Sequence, residues 1–326
     1  MMQSSPADRM ATRLLADVGG TNARFALARP GGAPEAIRVL HAADHTGIAE
    51  AAAAYLAEAR PATRPTVAAF AVAAPVTGDE IRFTNSPWSF SIAALKQRLG
   101  FAHFAVVNDF VAAARAVPQL APTDLMRIGP GSAAPDMPIA VLGPGTGLGV
   151  AALIPDRGRW IPVATEGGHA TLAAADSREA AIIAAMRTRT GHVSAERALS
   201  GAGLVHLRDA VAAVDGVEAP PLAPHDITAR AIAGTDPLCR TTLDAFWAML
   251  GGFAGNLALT YGALGGVYIA GGIVPAMADR IAQSGFRARF EAKGRFHDYL
   301  HAIPTFVVTH KQPALLGLTA MLDFTH

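Results

Sequence analysis

Residues Leu14–Leu15–Ala16–Asp17–Val18–Gly19–Gly20–Thr21–Asn22–Ala23–Arg24–Phe25–Ala26–Leu27–Ala28 place two short apolar segments on either side of a Gly-Gly-Thr turn. That order predicts strand, tight turn, strand. Glycines at such a turn let backbone N–H groups converge on an anion, since no Cβ blocks the approach. Asp17 stands where the first strand ends, placed to hold a hydrated cation beside that anion. A phosphate cradle with an adjacent carboxylate points to a nucleotide and Mg²⁺. Taken alone, a Gly-Gly turn in a hairpin is more often structural.

The same arrangement returns near the middle of the chain. Ile139–Leu142 is a second apolar strand, Gly143–Pro144–Gly145–Thr146–Gly147 a second glycine loop, and Leu148–Leu153 a second returning strand. A third buried strand, Val267–Ala270, runs into Gly271–Gly272 and is expected to open a helix, a resting place for a nucleotide's sugar or base. Together the three elements predict nucleotide binding. The strand–turn–strand opening, repeated at about half the chain length, predicts a duplicated α/β lobe with a cleft between the copies. Two competing phosphate motifs fail on spelling. No Gly-Lys pair exists for a P-loop, and Gly-x-Gly-x-x-Gly is matched neither from Gly143 nor from Gly145.

The chain has 326 residues, enough for two sizeable cores, and 51 % of them are hydrophobic against 16 % charged. A formal net charge of +1 and the lack of a Lys/Arg cluster argue against nucleic acid as a partner. The single cysteine, Cys239, builds neither an intrachain disulfide nor a multi-cysteine zinc site, and reads as a small buried hydrophobe in a helix. Residues 1–12 are expected to be frayed and form no signal peptide, because the apolar run after Arg13 is broken at Asp17. Ala245–Ala278 lacks charge over a length able to span a bilayer. Its seven Gly and Asn breaks between Gly251 and Gly266 read instead as a buried helix, capped near Thr235–Asp236 with Pro237 in its first turn. No membrane partner is expected.

Further helices are predicted at 47–59, 91–99, 110–117, 178–190, 201–214, 227–233, 237–262 and 314–323. Strands are predicted at 67–74, 81–84, 105–107 and 305–308. Five prolines in 118–138 mark a lobe boundary. Residues 1–118 form one α/β lobe, completed by a terminal helix in 311–326, and 119–310 form the other.

Three polar groups interrupt apolar or glycine-rich surroundings. Asn108–Asp109 ends a strand and begins a helix, at the sheet edge where α/β proteins bind ligands, although Asp109 serves equally as a helix N-cap. Glu166–Gly167–Gly168–His169 sets a carboxylate and an imidazole around a glycine pair, with a surface loop as the alternative. Ser194–Ala195–Glu196–Arg197 reads as a helix start, where Glu196 is also an ordinary first-turn glutamate.

The chain resembles the bacterial glucokinases, the ATP-dependent type outside the repressor-related sugar kinases, within the hexokinase, actin and heat-shock ATPase superfamily. The motifs that carry the resemblance are Asp17-Val-Gly-Gly-Thr-Asn-Ala-Arg24, Thr84-Asn-Ser-Pro-Trp-Ser-Phe90, Asn108-Asp-Phe110, Gly143-Pro-Gly-Thr-Gly-Leu-Gly149, Glu166-Gly-Gly-His169, Gly191-His-Val-Ser-Ala-Glu-Arg197, Ala270-Gly-Gly-Ile-Val-Pro275 and Gly285-Phe-Arg287. The resemblance implies a two-lobed actin-like (ribonuclease H-like) ATPase fold of α/β class. It implies glucose bound by Asn108, Asp109, Glu166, His169 and Glu196, with Asp109 as the catalytic acceptor of the 6-hydroxyl proton. It implies ATP held by Ala16, Asp17, Val18, Gly19, Gly20 and Thr21, with Gly145, Thr146, Gly147, Gly271 and Gly272 lining the rest. Asp17 is expected to hold Mg²⁺ through water. Glucose and ATP are thus the expected small-molecule partners, a second copy of the chain the expected protein partner in a homodimer, and the cytoplasm the expected compartment. Ala16 and Thr165 stand where such enzymes more often carry glycine and a smaller residue. A kinase for another hexose, or a non-catalytic sugar sensor on the same fold, is the alternative.

Overall fold

A computed structural model of the chain describes residues 12–83 and 88–323. The segment expected to be frayed, apart from residue 12, lies outside the described residues, as do Thr84–Pro87 of the Trp88-containing motif and the end of the expected 81–84 strand. The described residues divide into two compact units, one running to Ala121 and resuming at His310, the other spanning Pro122–Thr309.

The first unit is built on a five-stranded sheet in the order β3-β2-β1-β4-β7. Its strands are β1 (Arg13–Val18), β2 (Asn22–Ala28), β3 (Glu35–His41) and β4 (Val67–Val72), then, after the small hairpin β5 (Glu80–Arg82) and β6 (Ser89–Ser91), β7 (His103–Asn108). β1 pairs antiparallel with β2 and parallel with β4. Alternation along β1 divides its side chains between two cores. Leu14, Ala16 and Val18 join a cluster with Ile48 and Tyr55 of α1 (Ile48–Ala59) and Leu95 and Leu99 of α2 (Ile92–Leu99). Leu15 faces the other way, onto Ala112 of α3 (Asp109–Ala116) and Leu315, Leu318 and Leu322 of the last described helix, Pro313–Asp323. Each such leucine contributes about 1.5–3 kcal/mol relative to exposure. Arg13 at the start of β1 is buried and paired with Asp323 of that helix.

Several boundaries differ from expectation for local reasons. Ser91 is not the first residue of α2 but its cap, the hydroxyl accepting from the Ala94 amide at 3.0 Å. The short turn Val117–Gln119 continues α3 past Pro118 as a 3₁₀ helix, packed against the last helix.

The second unit repeats the plan. Its sheet runs β11-β10-β9-β12-β13-β8, from β8 (Leu125–Ile128), β9 (Ile139–Pro144), β10 (Leu148–Asp156), β11 (Arg159–Thr165), β12 (Val267–Ile269) and β13 (Thr305–Val308). β9 is antiparallel to β10 and parallel to β12, as β1 is to β2 and β4, so five strands share order and direction with the first unit. β8 is added antiparallel on the far edge. One face is covered by α4 (Ser177–Thr190), α5 (Gly201–Asp215), α6 (Pro224–Ala233) and α7 (Pro237–Tyr261), followed by the short α8 (Ala278–Ile281), α9 (Phe286–Glu291) and α10 (His297–His301). The segment that invited a membrane reading is α7. Its cap is Asp236, which accepts from the Cys239 amide at 3.0 Å, and Cys239 is buried within it. Among the described residues no helix is long and apolar enough to cross a membrane. Gly271–Gly272 does not open a long helix. It leads into one 3₁₀ turn, Pro275–Met277, and then α8. Pro313–Asp323, hereafter α11, closes the chain back onto the first unit.

Candidate active site

In the first unit the parallel strands end in register, Val18 beside Val72 and Val72 beside Asn108. The Gly19–Thr21 turn and the Asn108–Asp109 pair therefore leave the same sheet edge, about 10 Å apart at the spacing of two strands. This is the carboxyl edge at which α/β sheets bind ligands. Asp17 lies opposite Arg24 in the hairpin, and Arg24 Nη1 donates to Asp17 Oδ2 at 3.1 Å. Burial pushes the Asp17 carboxyl above its ordinary value, and the guanidinium pulls it part of the way back. The side chain keeps 20 % exposure, a window for a hydrated cation. Ala16 and Val18 are fully buried between β2 and β4, so they shape the strand beneath the turn and present no surface to a ligand. The Gly19 amide closes the hairpin on the Asn22 carbonyl at 2.9 Å, leaving Gly20 and exposed Thr21 as the outward part of the turn.

Asn108, not Asp109, caps α3. Its Oδ1 accepts from the Phe110 and Val111 amides at 2.9 and 3.4 Å, and its Nδ2 donates to the Ala74 carbonyl at 3.4 Å. Asp109 is the first helical residue, with Oδ1 also accepting from the Phe110 amide at 3.0 Å. The capping requirement is thus met by its neighbour.

In the second unit, Glu166, His169 and Glu196 come together. Glu166 Oε2 lies 3.8 Å from His169 Nε2, and His169 Nδ1 lies 3.9 Å from Glu196 Oε1. Neither Gly167–His169 nor Ala195–Arg197 is an α-helix; each is a single 3₁₀ turn. The turns are tied by the Ala195 amide on the Ala170 carbonyl and the Leu172 amide on the Val193 carbonyl, at 2.9 and 3.0 Å. Glu166 and His169 are more than half exposed, which suits groups that meet a solute. The glycine loop is adjacent in space: Leu148, the residue after Gly147, donates its amide to Glu196 Oε2 at 2.9 Å. Gly145 is held at its carbonyl by the Gly201 amide of α5 at 2.9 Å. Gly271, at φ +82°, lies against the Pro144 carbonyl where any Cβ would collide. Gly145, Gly147, Gly271 and Gly272 therefore line one edge, with Thr146 at the loop tip.

The donor set fits a magnesium nucleotide. Gly272 has nothing within 4 Å of the position a Cβ would take, so its backbone is open to close approach. Asn22 beside the first turn carries a buried Oδ1 with no hydrogen-bond partner, an acceptor suited to a cation's water. Among the described residues no group of three His, Cys, Asp or Glu could hold a metal. A metal used here would come with the phosphates and keep most of its waters, as Mg²⁺ does.

Three contributors escaped the sequence reading. Arg24 was detectable from hairpin register, since Asp17 and Arg24 are symmetric about the turn. The Thr165 hydroxyl accepts from the Gly167 amide two residues on at 3.1 Å, a local threonine turn that the sequence offered, whereas the Leu148 amide depends on a contact between distant segments.

The glucokinase family profile matches residues 14–324. A glucokinase of Paramagnetospirillum magneticum is 53 % identical over 310 residues, covering 95 % of this chain and 97 % of its own. The crystal structure of a glucokinase from an Antarctic psychrotroph superposes with a TM-score of 0.86 at 38 % identity, covering 96 % of this chain and 98 % of that one. A repressor-related (ROK) family glucokinase from Streptomyces griseus, crystallised with glucose and AMPPNP, shares the fold at a TM-score of 0.63 and 19 % identity, covering 95 % of this chain and 98 % of its own. With the duplicated sheets and the two glycine turns, these likenesses establish that the chain has the actin-like ATPase fold and belongs to the glucokinase family.

Proposed function

We infer that the protein is a glucokinase, an ATP-dependent hexose kinase that transfers the γ-phosphate of ATP to the 6-hydroxyl of glucose, giving glucose 6-phosphate and ADP. The observation that carries the reading is the convergence of Glu166, His169 and Glu196 beside a glycine loop whose next residue, Leu148, holds Glu196 through its amide. Carboxylates accept hydroxyl hydrogen bonds and an imidazole donates or accepts, a set suited to neighbouring sugar hydroxyls. The family membership and the glucose and AMPPNP bound by the Streptomyces griseus protein point the same way.

Phosphoryl transfer needs alignment, charge neutralisation and a place for one proton. Asp109 accepts the proton of the 6-hydroxyl as that oxygen attacks phosphorus and the bond to the ADP oxygen breaks. Because Asn108 supplies the helix cap, the Asp109 carboxylate can be turned to the substrate without unwinding α3. Asn108, Glu166, His169 and Glu196 read the other hydroxyls. Gly20, Thr21, Thr146 and the backbone of Gly271–Gly272 receive the nucleotide, with Ala16, Val18, Gly19, Gly145 and Gly147 shaping the turns. Mg²⁺, held through water by Asp17, would neutralise phosphate charge when bound. The reading extends to a glycolytic role in the cytoplasm, where ATP is abundant, and to a homodimer, which sedimentation would test.

A coupled assay of ADP release over a panel of hexoses tests the function. Glucose should give the highest kcat/KM. A higher value for mannose, fructose or an N-acetylhexosamine would reassign the substrate, and no sugar-dependent release from folded protein would overturn the kinase reading.

A further inference from the structure

We propose that Thr165 is a positioning residue for the sugar-reading turn, setting Glu166 and His169 through its hydroxyl. The inference rests on the assignment of that turn to the sugar. Thr165 is the last residue of β11 and lies opposite Val150 of β10. Its Oγ1 donates to the Val150 carbonyl at 3.0 Å and accepts from the Gly167 amide at 3.1 Å. One hydroxyl thus bridges the rigid sheet and the first amide of the 3₁₀ turn. The first amide of such a turn has no partner within the turn, and the residue at the cap position ordinarily reaches the second or third amide instead. Here that residue is Glu166, and its side chain makes no cap hydrogen bond. Thr165 satisfies the first amide, and the Glu166 carboxylate remains directed to His169 at 3.8 Å.

Close packing leaves the turn one seat on the sheet. A Cβ at Gly168 would collide with the Leu148 carbonyl, and one at Gly167 would press on Val150 and on the Thr165 hydroxyl itself. Leu148 also holds Glu196 through its amide. The Thr165 bridge therefore fixes Glu166 and His169 in the frame that fixes Glu196. A smaller residue at 165 would leave the Gly167 amide to recruit the Glu166 carboxylate, drawing it away from a hydroxyl.

Thr165→Val keeps the shape and removes both hydrogen bonds, and Thr165→Ser keeps the hydroxyl. Losing bonds of this kind predicts a KM for the sugar raised about three- to ten-fold in Thr165→Val, with kcat and the KM for ATP within about two-fold of wild type. Thr165→Ser should restore the wild-type KM. The comparison is made on whichever hexose the wild-type protein turns over fastest, so a change of preferred sugar revises the function and still tests Thr165. An unchanged sugar KM in Thr165→Val would overturn the proposal. So would a Thr165→Ser variant as impaired as Thr165→Val, or a rise of both KM values together with a lowered Tm.

Discussion

The β1–β2 turn and the β9–β10 turn have the same design, an apolar strand, a glycine-rich reversal and a returning strand, but they need their glycines for different reasons. In the first, a Cβ on Gly19 would meet only the Asn22 carbonyl, at an ordinary 3.5 Å. In the second, a Cβ on Gly147 would sit 2.5 Å from Glu196 Oε2. Room at the first turn is therefore room for something outside the chain, whereas room at Gly147 is already filled by a side chain from a distant segment. The acidic groups differ in the same way. Asp17 is set by its own hairpin, opposite Arg24. Glu196 reaches its turn from a separate 3₁₀ helix and is held by the Leu148 amide. One turn is locally encoded and the other is assembled by tertiary structure.

The sharpest test of the division of labour is Asp109→Ala. It should lower kcat by about a thousand-fold or more, with Tm and ATP binding close to wild type because Asn108 keeps the cap. Retention of more than about a tenth of wild-type kcat would remove Asp109 from catalysis. Loss of folded protein would mean that the cap is shared.

Next in size, Gly147→Ala forces the Glu196 carboxylate aside and should raise the KM for glucose about ten- to a hundred-fold, the loss of a hydrogen bond to a charged group. Glu166→Gln and His169→Ala should fall in the same range or below it, again in the sugar term. A shift confined to the ATP term in any of the three would assign the Glu166–His169 turn to the wrong substrate.

Glu291 contrasts with Asp17 in a second way. Burial disfavours its ionised form, but hydrogen bonds from Arg287 at 2.6 Å and His301 leave its carboxyl below the ordinary 4.5. A depressed carboxyl stabilises the fold above the unfolded-state value, and that stability is lost as pH falls through the folded-state value. Glu291→Gln should therefore cost about 1.5–3 kcal/mol at neutral pH. Denaturant titrations of the two proteins should converge below pH 4.5, and a pH-independent gap would refute the ionic contribution. The smallest effect belongs to Gly19→Ala, with stability within about 0.5 kcal/mol of wild type and any kinetic change confined to ATP. A drop in Tm comparable to that of Gly147→Ala would erase the contrast between the two turns.

What the sequence revealed follows the same line. The buried central strands were legible because their apolar runs are continuous: β13 lies at Thr305–Val308, where the pattern put it. β3 and β11 went unseen because they are edge strands with mostly exposed or half-exposed side chains, and β11 contains Pro162. α8, α9 and α10 have four, six and five residues, too short to show a 3.6-residue period. At the site, Asn108–Asp109 and the glycine turns could be placed from the sequence. The exchange of roles in which Asn108 caps and Asp109 follows could not, since both residue types favour the cap position. The hold of Leu148 on Glu196 was also hidden, because it joins segments far apart in the chain.

The packing of α11 on α3, with Gly317 against the Ala112 carbonyl and Arg13 paired to Asp323, has a consequence for the order of synthesis. The unit that contains Asp109 is discontinuous in sequence, and its second core is completed by residues translated after the whole of the other unit. Pro122–Thr309 is an uninterrupted stretch that can collapse while the chain is still emerging. The helix that starts with Asp109 gains its partner only when residues 313–323 are free of the ribosome. A nascent chain on this plan therefore completes the core beneath that helix last, after all of the other unit has been made.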